Sequence, residues 1–200
     1  MQALSRERII NTAIALADRD GLDAVTLRRI AAELGVHVTS LYNHVPTREA
    51  VTTGIVDTLV TRADLPTGDV DWESWVRAFI AAVGDIALEH PGAFVALQRR
   101  PVQAAAATTS FELALSAFAR AGMSPAAAYG AVKATTYTGL AIAMERALSA
   151  RGDDAETALS HLPADEFPRI LALGHVDAEA TWAFTVETLI AGLRAQIAAG

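Results

Sequence analysis

The chain has 200 residues, of which 52% are hydrophobic, 20% are charged and none is cysteine, and its net charge is −7. This length suits one large domain or two small ones that share a core, and the lack of cysteine excludes disulfides, thiolate metal sites and cysteine nucleophiles. Because no apolar run is long enough for a membrane span and residues 1–11 are too charged for a signal peptide, we expect a cytoplasmic protein with no membrane partner.

The charge is distributed unevenly along the chain. Residues 1–62 contain seven arginines and seven acidic residues and are therefore neutral. Residues 63–200 contain nine basic and sixteen acidic residues, so all of the negative charge lies there. We expect the two parts to bind different partners.

The pattern of apolar residues predicts an all-α fold, because these residues recur at helical spacing and no run alternates as a half-buried strand would. Four helices are expected in the first part of the chain. They run from the cap Ser5 to the stop Gly21, from the cap Thr26 to the stop Gly35, over about residues 39–44, and from Pro46-Thr47 to about Arg62.

Longer, alanine-rich helices are expected in the second part, after a turn at residues 65–69. They lie at about 72–90, 93–99, 107–121, 125–149 and 177–198, with a loop at 151–163 and a short helix near 165–173.

The segment from Thr26 to Val45 predicts a helix-turn-helix. Two short helices meet at Gly35, and the second is held from inside by Val36 and Leu41 while its other side is polar. In this motif the second helix lies in the major groove of DNA, where donors and acceptors contact phosphates and base edges. The available groups belong to His37, Thr39, Ser40, Tyr42, Asn43 and His44.

This segment resembles the DNA-binding segment of the tetracycline-repressor (TetR) family. The likeness covers about residues 6–60 and rests on the pattern TLRRIAAELGV…SLYNHVPTREAV. A Thr-capped helix, Gly-Val, a Leu-Tyr pair, a following His and a basic residue that opens the next helix recur in that family. A weaker likeness to the tetracycline-repressor subgroup rests on ESWVRAF, FELALSAFARAG and TYTGLA further along the chain.

The resemblance implies a three-helix, helix-turn-helix DNA-binding domain at 1–47, a connecting helix at 48–62 and a helical effector-binding and dimerisation domain at 63–200. The resemblance also implies a function for these domains. A homodimer would bind a palindromic double-stranded DNA operator as a repressor, and a small-molecule effector would release it. No cofactor is implied.

The resemblance also assigns roles to single residues. Thr26 would cap the second helix and contact a phosphate, Arg28 would reach a guanine edge, and Arg48 would bind a phosphate at the start of the fourth helix. Two positions depart from the tetracycline repressor, with Val38 in place of an amide that reads a base and Asn43 in place of an aromatic residue, so we expect a different operator. The candidate DNA-binding residues are Thr26, Arg28, His37, Val38, Thr39, Ser40, Tyr42, Asn43, His44 and Arg48.

A pocket for the effector is expected among aromatic residues with a few polar groups. The candidates are Trp75, Phe79, Phe94, Arg100, Tyr137, Met144 and Glu145. The tetracycline repressors bind a magnesium chelate through a histidine four residues before an Arg-Pro pair, and that position is Ala96 here; Asp64 stands near the place of a second histidine. These departures predict a different, apolar or aromatic effector.

The dimer interface is expected on the last helix and the helix at 125–149, which together would form half of a four-helix bundle. The apolar stripe of the last helix is Trp182, Val186, Leu189, Ile190, Leu193 and Ile197; the earlier helix offers Tyr129, Val132, Thr136, Leu140 and Met144. Both helices could instead fill the core of the monomer.

Other interpretations remain open for several of these residues. Tyr42 could pack on the first helix, and His37 could be a solvated turn residue. His37, His44 and Glu49 could form a metal site, although they lack the spacing of a helical one.

Other functions remain open as well. The protein could be an activator, or a regulator without a ligand. An all-α enzyme could use Glu145, His161 or His90 for acid and base chemistry, but no catalytic motif accompanies them.

Overall fold

The computed structural model describes residues 3–99, 103–149, 162–163, 165–173 and 177–199. These residues form ten α-helices and a 3-10 turn at Leu22–Ala24, with no strand among them, so the predicted all-α fold is confirmed. The helices are α1 Arg6–Asp20, α2 Leu27–Leu34, α3 Val38–Leu41, α4 Arg48–Arg62, α5 Trp72–Glu89, α6 Val95–Arg99, α7 Ala105–Arg120, α8 Pro125–Ser149, α9 Pro168–Leu171 and α10 Ala178–Ala199.

The ends of the first helices are set by the residues that the sequence indicates. The side chain of Ser5 accepts a hydrogen bond from the Arg8 N–H at 3.2 Å, and Thr26 accepts one from the Arg29 N–H at 3.2 Å. Gly21 and Gly35 end α1 and α2 with positive φ angles of 85° and 65°, which glycine adopts without strain. The predicted caps and stops of these two helices are therefore confirmed.

The third helix is shorter than predicted, because it ends at Leu41 instead of continuing to His44. The His44 N–H and the Val45 N–H both donate to the Leu41 carbonyl, at 2.9 and 2.8 Å, which closes the chain into a turn. Pro46 disfavours a helical conformation at the residue before it and has no N–H of its own. Tyr42, Asn43 and His44 therefore lie on this turn.

The first three helices, with residues 3–47, are called the head below, and residues 63–199 are called the core region. The apolar interior of the head contains Ile9, Ile30 and Leu41, each with no exposed surface. This cluster continues without a break into α5, the turn after it, α6 and α8, where Phe94 of the turn and Ala143 of α8 are equally buried. The head thus packs directly on the core region.

A second apolar cluster lies between α5, α7, α8 and α10. Trp75 is 1% exposed at its centre, and its indole N–H donates to the Ser110 hydroxyl at 3.3 Å. Two ion pairs fix α10 on α5, one between Arg194 and Glu73 and one between Arg77 and Glu187. No helix within the described ranges is both long and apolar enough to cross a bilayer.

The apolar stripe predicted on the last helix faces inward, toward α5 and α8. Ile190 and Leu193 are buried in the second cluster, and Val186 and Leu189 pack against it. The opposite side of α10 is exposed and includes Phe184, with 73% of its surface accessible. The predicted stripe therefore packs within the protomer, which is the alternative stated for it, and a different face of α10 is exposed.

Candidate DNA-binding surface and ligand cavity

The turn between α2 and α3 is built by the backbone of Gly35. The Val36 N–H reaches back to the Ala31 carbonyl at 3.0 Å, and the Gly35 N–H donates to the Ala32 carbonyl at 3.2 Å. This pattern ends a helix in a left-handed residue and turns the chain sharply. The fully buried Leu41 and Val45 then anchor α3 and the turn after it.

The polar side chains of α3 and its flanking turns lie on the outside of the head. Thr26, His37, Thr39 and Asn43 are exposed, and Tyr42 is 51% exposed. Val38, Ser40 and His44 are half-buried, with Val38 packed against the apolar cluster of the head. Most of the residues predicted to contact DNA in this segment are thus accessible to solvent, including the ring of Tyr42.

The arginines of this region differ in their surroundings. Arg28, the second residue of α2, is exposed and has no hydrogen-bond or ion-pair partner among the described residues. Its neighbour Arg29 pairs with Asp20. Arg48, at the first position of α4, donates to the Leu22 and Asp23 carbonyls at 3.4 and 3.3 Å. Arg28 is therefore available for an external acceptor, whereas Arg48 also holds α4 against the 3-10 turn.

The two histidines of the head, His37 and His44, lie on either side of α3. His37 precedes α3 and makes no side-chain cap hydrogen bond, and His44 lies on the following turn. No group of three or more His, Asp or Glu residues arranged for a metal ion occurs in the described part of the chain. The alternative site of His37, His44 and Glu49 is thus not assembled here.

A cavity of about 410 Å³ lies in the core region between α4, α5, α6, α7 and α8. Its walls are mostly apolar, as in small-molecule sites. α5 contributes Trp75, Phe79, Val83 and Ile86; α7 contributes Ala107, Thr108 and Phe111; α8 contributes Val132, Lys133, Thr136 and Leu140; Val60, Leu65 and Leu97 complete the lining.

Two of the residues predicted for a pocket, Trp75 and Phe79, line this cavity, and their rings stack at 5.0 Å between centroids. Four others lie elsewhere. Phe94 is buried in the cluster beneath the head, Met144 packs against that cluster, Tyr137 is 62% exposed and Glu145 is exposed. Arg100 falls outside the described residues, as does His161.

The differences follow from helix geometry. Successive residues of a helix point about 100° apart, so Tyr137 turns away from the cavity that its neighbour Thr136 lines. Met144 is one turn beyond Leu140 and packs against the apolar cluster that includes the interior of the head. The cavity is also lined by Thr108, Lys133 and Thr136, which were not predicted as pocket residues. Lys133 is the only charged residue in the stretch of α8 from Pro125 to Met144.

Two acidic residues of the head, Asp18 and Asp23, bind groups in the part of the core region beside the cavity. Asp18 of α1 accepts hydrogen bonds from the Gly92 and Ala93 N–H groups at 3.0 and 2.9 Å, between α5 and α6. Asp23, in the 3-10 turn, pairs with Arg99 at the end of α6 at 2.8 Å. The hydrogen bond from Arg99 lowers the pKa of the Asp23 carboxyl below its ordinary value. Because Leu97 of α6 lines the cavity and Arg99 of α6 pairs with Asp23, this helix contacts both the cavity and the head.

Residues 9–52 match the family model of bacterial regulatory proteins, tetR family. An HTH-type transcriptional regulator of Saccharopolyspora erythraea is 32% identical over 120 residues, which are 60% of this chain and 51% of that protein. The chain therefore spans about half the length of this curated relative.

Two further proteins match most of the chain. Tetracycline repressor protein class C of Escherichia coli is 29% identical over 174 residues, or 82% of this chain and 78% of that protein. The Streptomyces coelicolor TetR family protein ActR, in its crystal structure with (S)-DNPA, matches with a TM-score of 0.80 and 25% identity over 98% of this chain and 100% of ActR. The core region is therefore covered as well as the head.

Proposed function

Since the chain belongs to the tetR family of bacterial regulatory proteins, we propose that it is a transcriptional repressor that binds a palindromic operator as a homodimer and leaves it when a small molecule occupies the core cavity. The observation that carries this proposal is the position of the cavity. Its lining includes Val60 of α4 and Leu97 of α6, and both helices contact the head.

DNA binding is supported by the outer surface of the head. The exposed hydroxyl, phenol and amide groups of Thr39, Tyr42 and Asn43 supply donors and acceptors on one short helix and its turn. The unpaired Arg28 offers the planar pair of donors that suits a guanine edge. The head as a whole carries no excess positive charge, so we expect specific contacts to contribute more than a general attraction to phosphates.

A homodimer is supported by the free face of α10. Phe184 is 73% exposed there, and Thr188, Ala191 and Ala195 share the exposed side. Small residues allow two helices to approach closely, and burial of an exposed aromatic ring against a partner stabilises the dimer. Two copies related by a two-fold axis would present two heads, which a palindrome requires, at about 34–36 Å or one DNA turn.

Release would be a shift between two conformations. A ligand changes this equilibrium only if it binds one conformation more tightly than the other. A molecule in the cavity touches Val60, near the end of α4, and Leu97, two residues before Arg99. Movement of either helix changes the orientation of the head, because α4 packs on α1 and Arg99 pairs with Asp23. The relative ActR has been crystallised with a small molecule, (S)-DNPA, which is consistent with such control.

The test of the proposed function is selection of bound sequences from random duplex DNA, at about 150 mM salt because affinity depends strongly on salt. We expect a palindrome whose half-sites are one helical turn apart, bound by two protomers. The variant Arg28→Ala, which removes a side chain without a partner, should fold normally and select a palindrome that is less defined at one base pair of each half-site. Failure of the wild type to enrich any sequence would contradict the proposed function.

A further inference from the structure

Among the described residues that line the cavity, Lys133 is the one with a charged side chain, and no Asp, Glu or His accompanies it. The side chain is half-buried on α8, and no carboxylate among the described residues pairs with it. Its Nζ instead lies 4.4 Å from the centroid of the Tyr137 ring. The cavity therefore has one positive charge that the described part of the protein does not neutralise.

We propose that the ligand of this cavity is an aromatic acid whose carboxylate binds Lys133. This inference rests on the proposed function, since it names the chemical class of the molecule that the cavity would take. The aromatic part would lie among the rings of Trp75, Phe79 and Phe111. The carboxylate would lie near the exposed Tyr137, where α8 meets solvent.

The physical reason is that an apolar cavity stabilises the ring of such a ligand but not its carboxylate. An apolar wall stabilises a flat ring because it removes the ring from water. It offers no hydrogen bonds to replace those that water makes with a carboxylate. The ammonium of Lys133 supplies a charge-assisted hydrogen bond at one place on this wall. The face of the Tyr137 ring attracts the ammonium and so favours a position at the cavity edge when the site is empty.

One of the two hydroxyl groups in the lining supports the same orientation. The Thr136 hydroxyl donates its proton to the Val132 carbonyl at 2.8 Å and is therefore not a donor for a carboxylate. Thr108 lies across the cavity on α7 and can donate to a second oxygen of the ligand. Because residues 63–200 are strongly negative overall, a bound anion depends on the local charge of Lys133 and not on the general field of the protein.

The experiment compares three fluorescent probes of the same ring system: anthracene-9-carboxylate, neutral 9-anthracenemethanol and cationic 9-anthracenemethylamine. Each is titrated with the full-length wild type and with Lys133→Met, which keeps the length of the side chain and removes its charge. Lys133→Arg serves as the matched variant that keeps the charge.

We expect the wild type to bind the carboxylate about ten-fold more tightly than the alcohol, and the amine most weakly. Lys133→Met should lose this preference while it binds the alcohol as well as the wild type does, which also shows that it is folded. Lys133→Arg should retain most of the preference.

An equal preference in the wild type and Lys133→Met would overturn the inference and leave the cavity as a ligand site. Binding of the alcohol with no preference for the carboxylate would do the same. If none of the three probes bound the wild type, both the inference and the proposed control by a ligand in this cavity would be contradicted.

Discussion

Asp18, near the end of α1, lies 2.8 Å from His90 at the end of α5, measured from its Oδ2 to the ring Nδ1. The other oxygen of the same carboxylate accepts the two N–H groups of Gly92 and Ala93. One side chain of the head thus binds three groups at the junction between α5 and α6. These contacts connect α1 to the segment between α5 and α6.

The first prediction concerns this carboxylate. Asp18→Ala leaves two partly buried backbone N–H groups without an acceptor and should lower the free energy of unfolding by about 2 kcal/mol. Asp18→Asn keeps one acceptor oxygen and should lose less. Urea denaturation measures both, with Asp85→Ala as a control, because Asp85 is an exposed carboxylate on α5. Equal stability of Asp18→Ala and the control would show that the junction does not depend on Asp18.

The second prediction concerns the close approach of the head to the same junction. A Cβ added at Gly92 would lie 2.0 Å from the Ala17 carbonyl oxygen, a backbone atom that cannot move alone. Gly92→Ala should therefore push α1 from the α5–α6 turn and lower the free energy of unfolding by about 1–3 kcal/mol. Gly68→Ala, where an added Cβ meets nothing within 4 Å, is the matched control. A neutral effect of Gly92→Ala would mean that the two segments are not in contact.

The local structure of the head could be predicted from the sequence, whereas the cavity could not. Ser5, Thr26 and Gly35 act on their own helices within a few residues, so their roles are visible in a short stretch of sequence. A cavity depends on the distances between helices far apart in the chain. Helical spacing shows that Phe94, Trp75 and Met144 are apolar positions, but not which of them faces an unfilled space and which meets the head.

The same limit applies to the dimer interface. The stripe of apolar residues on α10, which includes Trp182 and Ile190, indicates a partner but does not identify it. In the structure this partner is the chain's own α5 and α8. Conversely, the sequence does not indicate that Lys133 lines a cavity, because one lysine in an alanine-rich helix is typical of a solvated face.

The third prediction separates two arginines of the candidate DNA surface. Arg28→Ala should lose about 1–3 kcal/mol of discrimination at one base pair of each half-site. Arg48→Ala should weaken binding to all sequences alike. It should also reduce the slope of log affinity against log salt concentration by about one for each head, because each head loses one phosphate contact. Titrations of the selected duplex and a scrambled duplex at several salt concentrations distinguish the two effects. Undiminished specificity of Arg28→Ala would refute its contact with a base.

The fourth prediction concerns acid stability. Arg194 and Arg77 donate to Glu73 and Glu187, and these hydrogen bonds lower the pKa of each carboxyl below its ordinary value of 4.5. A carboxyl whose pKa is lower in the folded state contributes stability above its unfolded pKa and loses it as the pH falls through the folded pKa. The wild type should therefore lose more stability than the double variant Glu73→Gln/Glu187→Gln as the pH falls from about 5 to about 3. Denaturation curves at one protein concentration measure this, and parallel losses in the two proteins would contradict it.

Coupling between the cavity and the head is tested most directly by the affinity of the selected duplex with and without anthracene-9-carboxylate. If the cavity controls the head, saturation with the probe weakens duplex binding by about five-fold or more in fluorescence anisotropy, and saturation with the duplex weakens binding of the probe by the same factor, because coupling between two sites is reciprocal. If the probe binds the cavity and the affinity for the duplex is unchanged, occupation of the cavity does not control DNA binding.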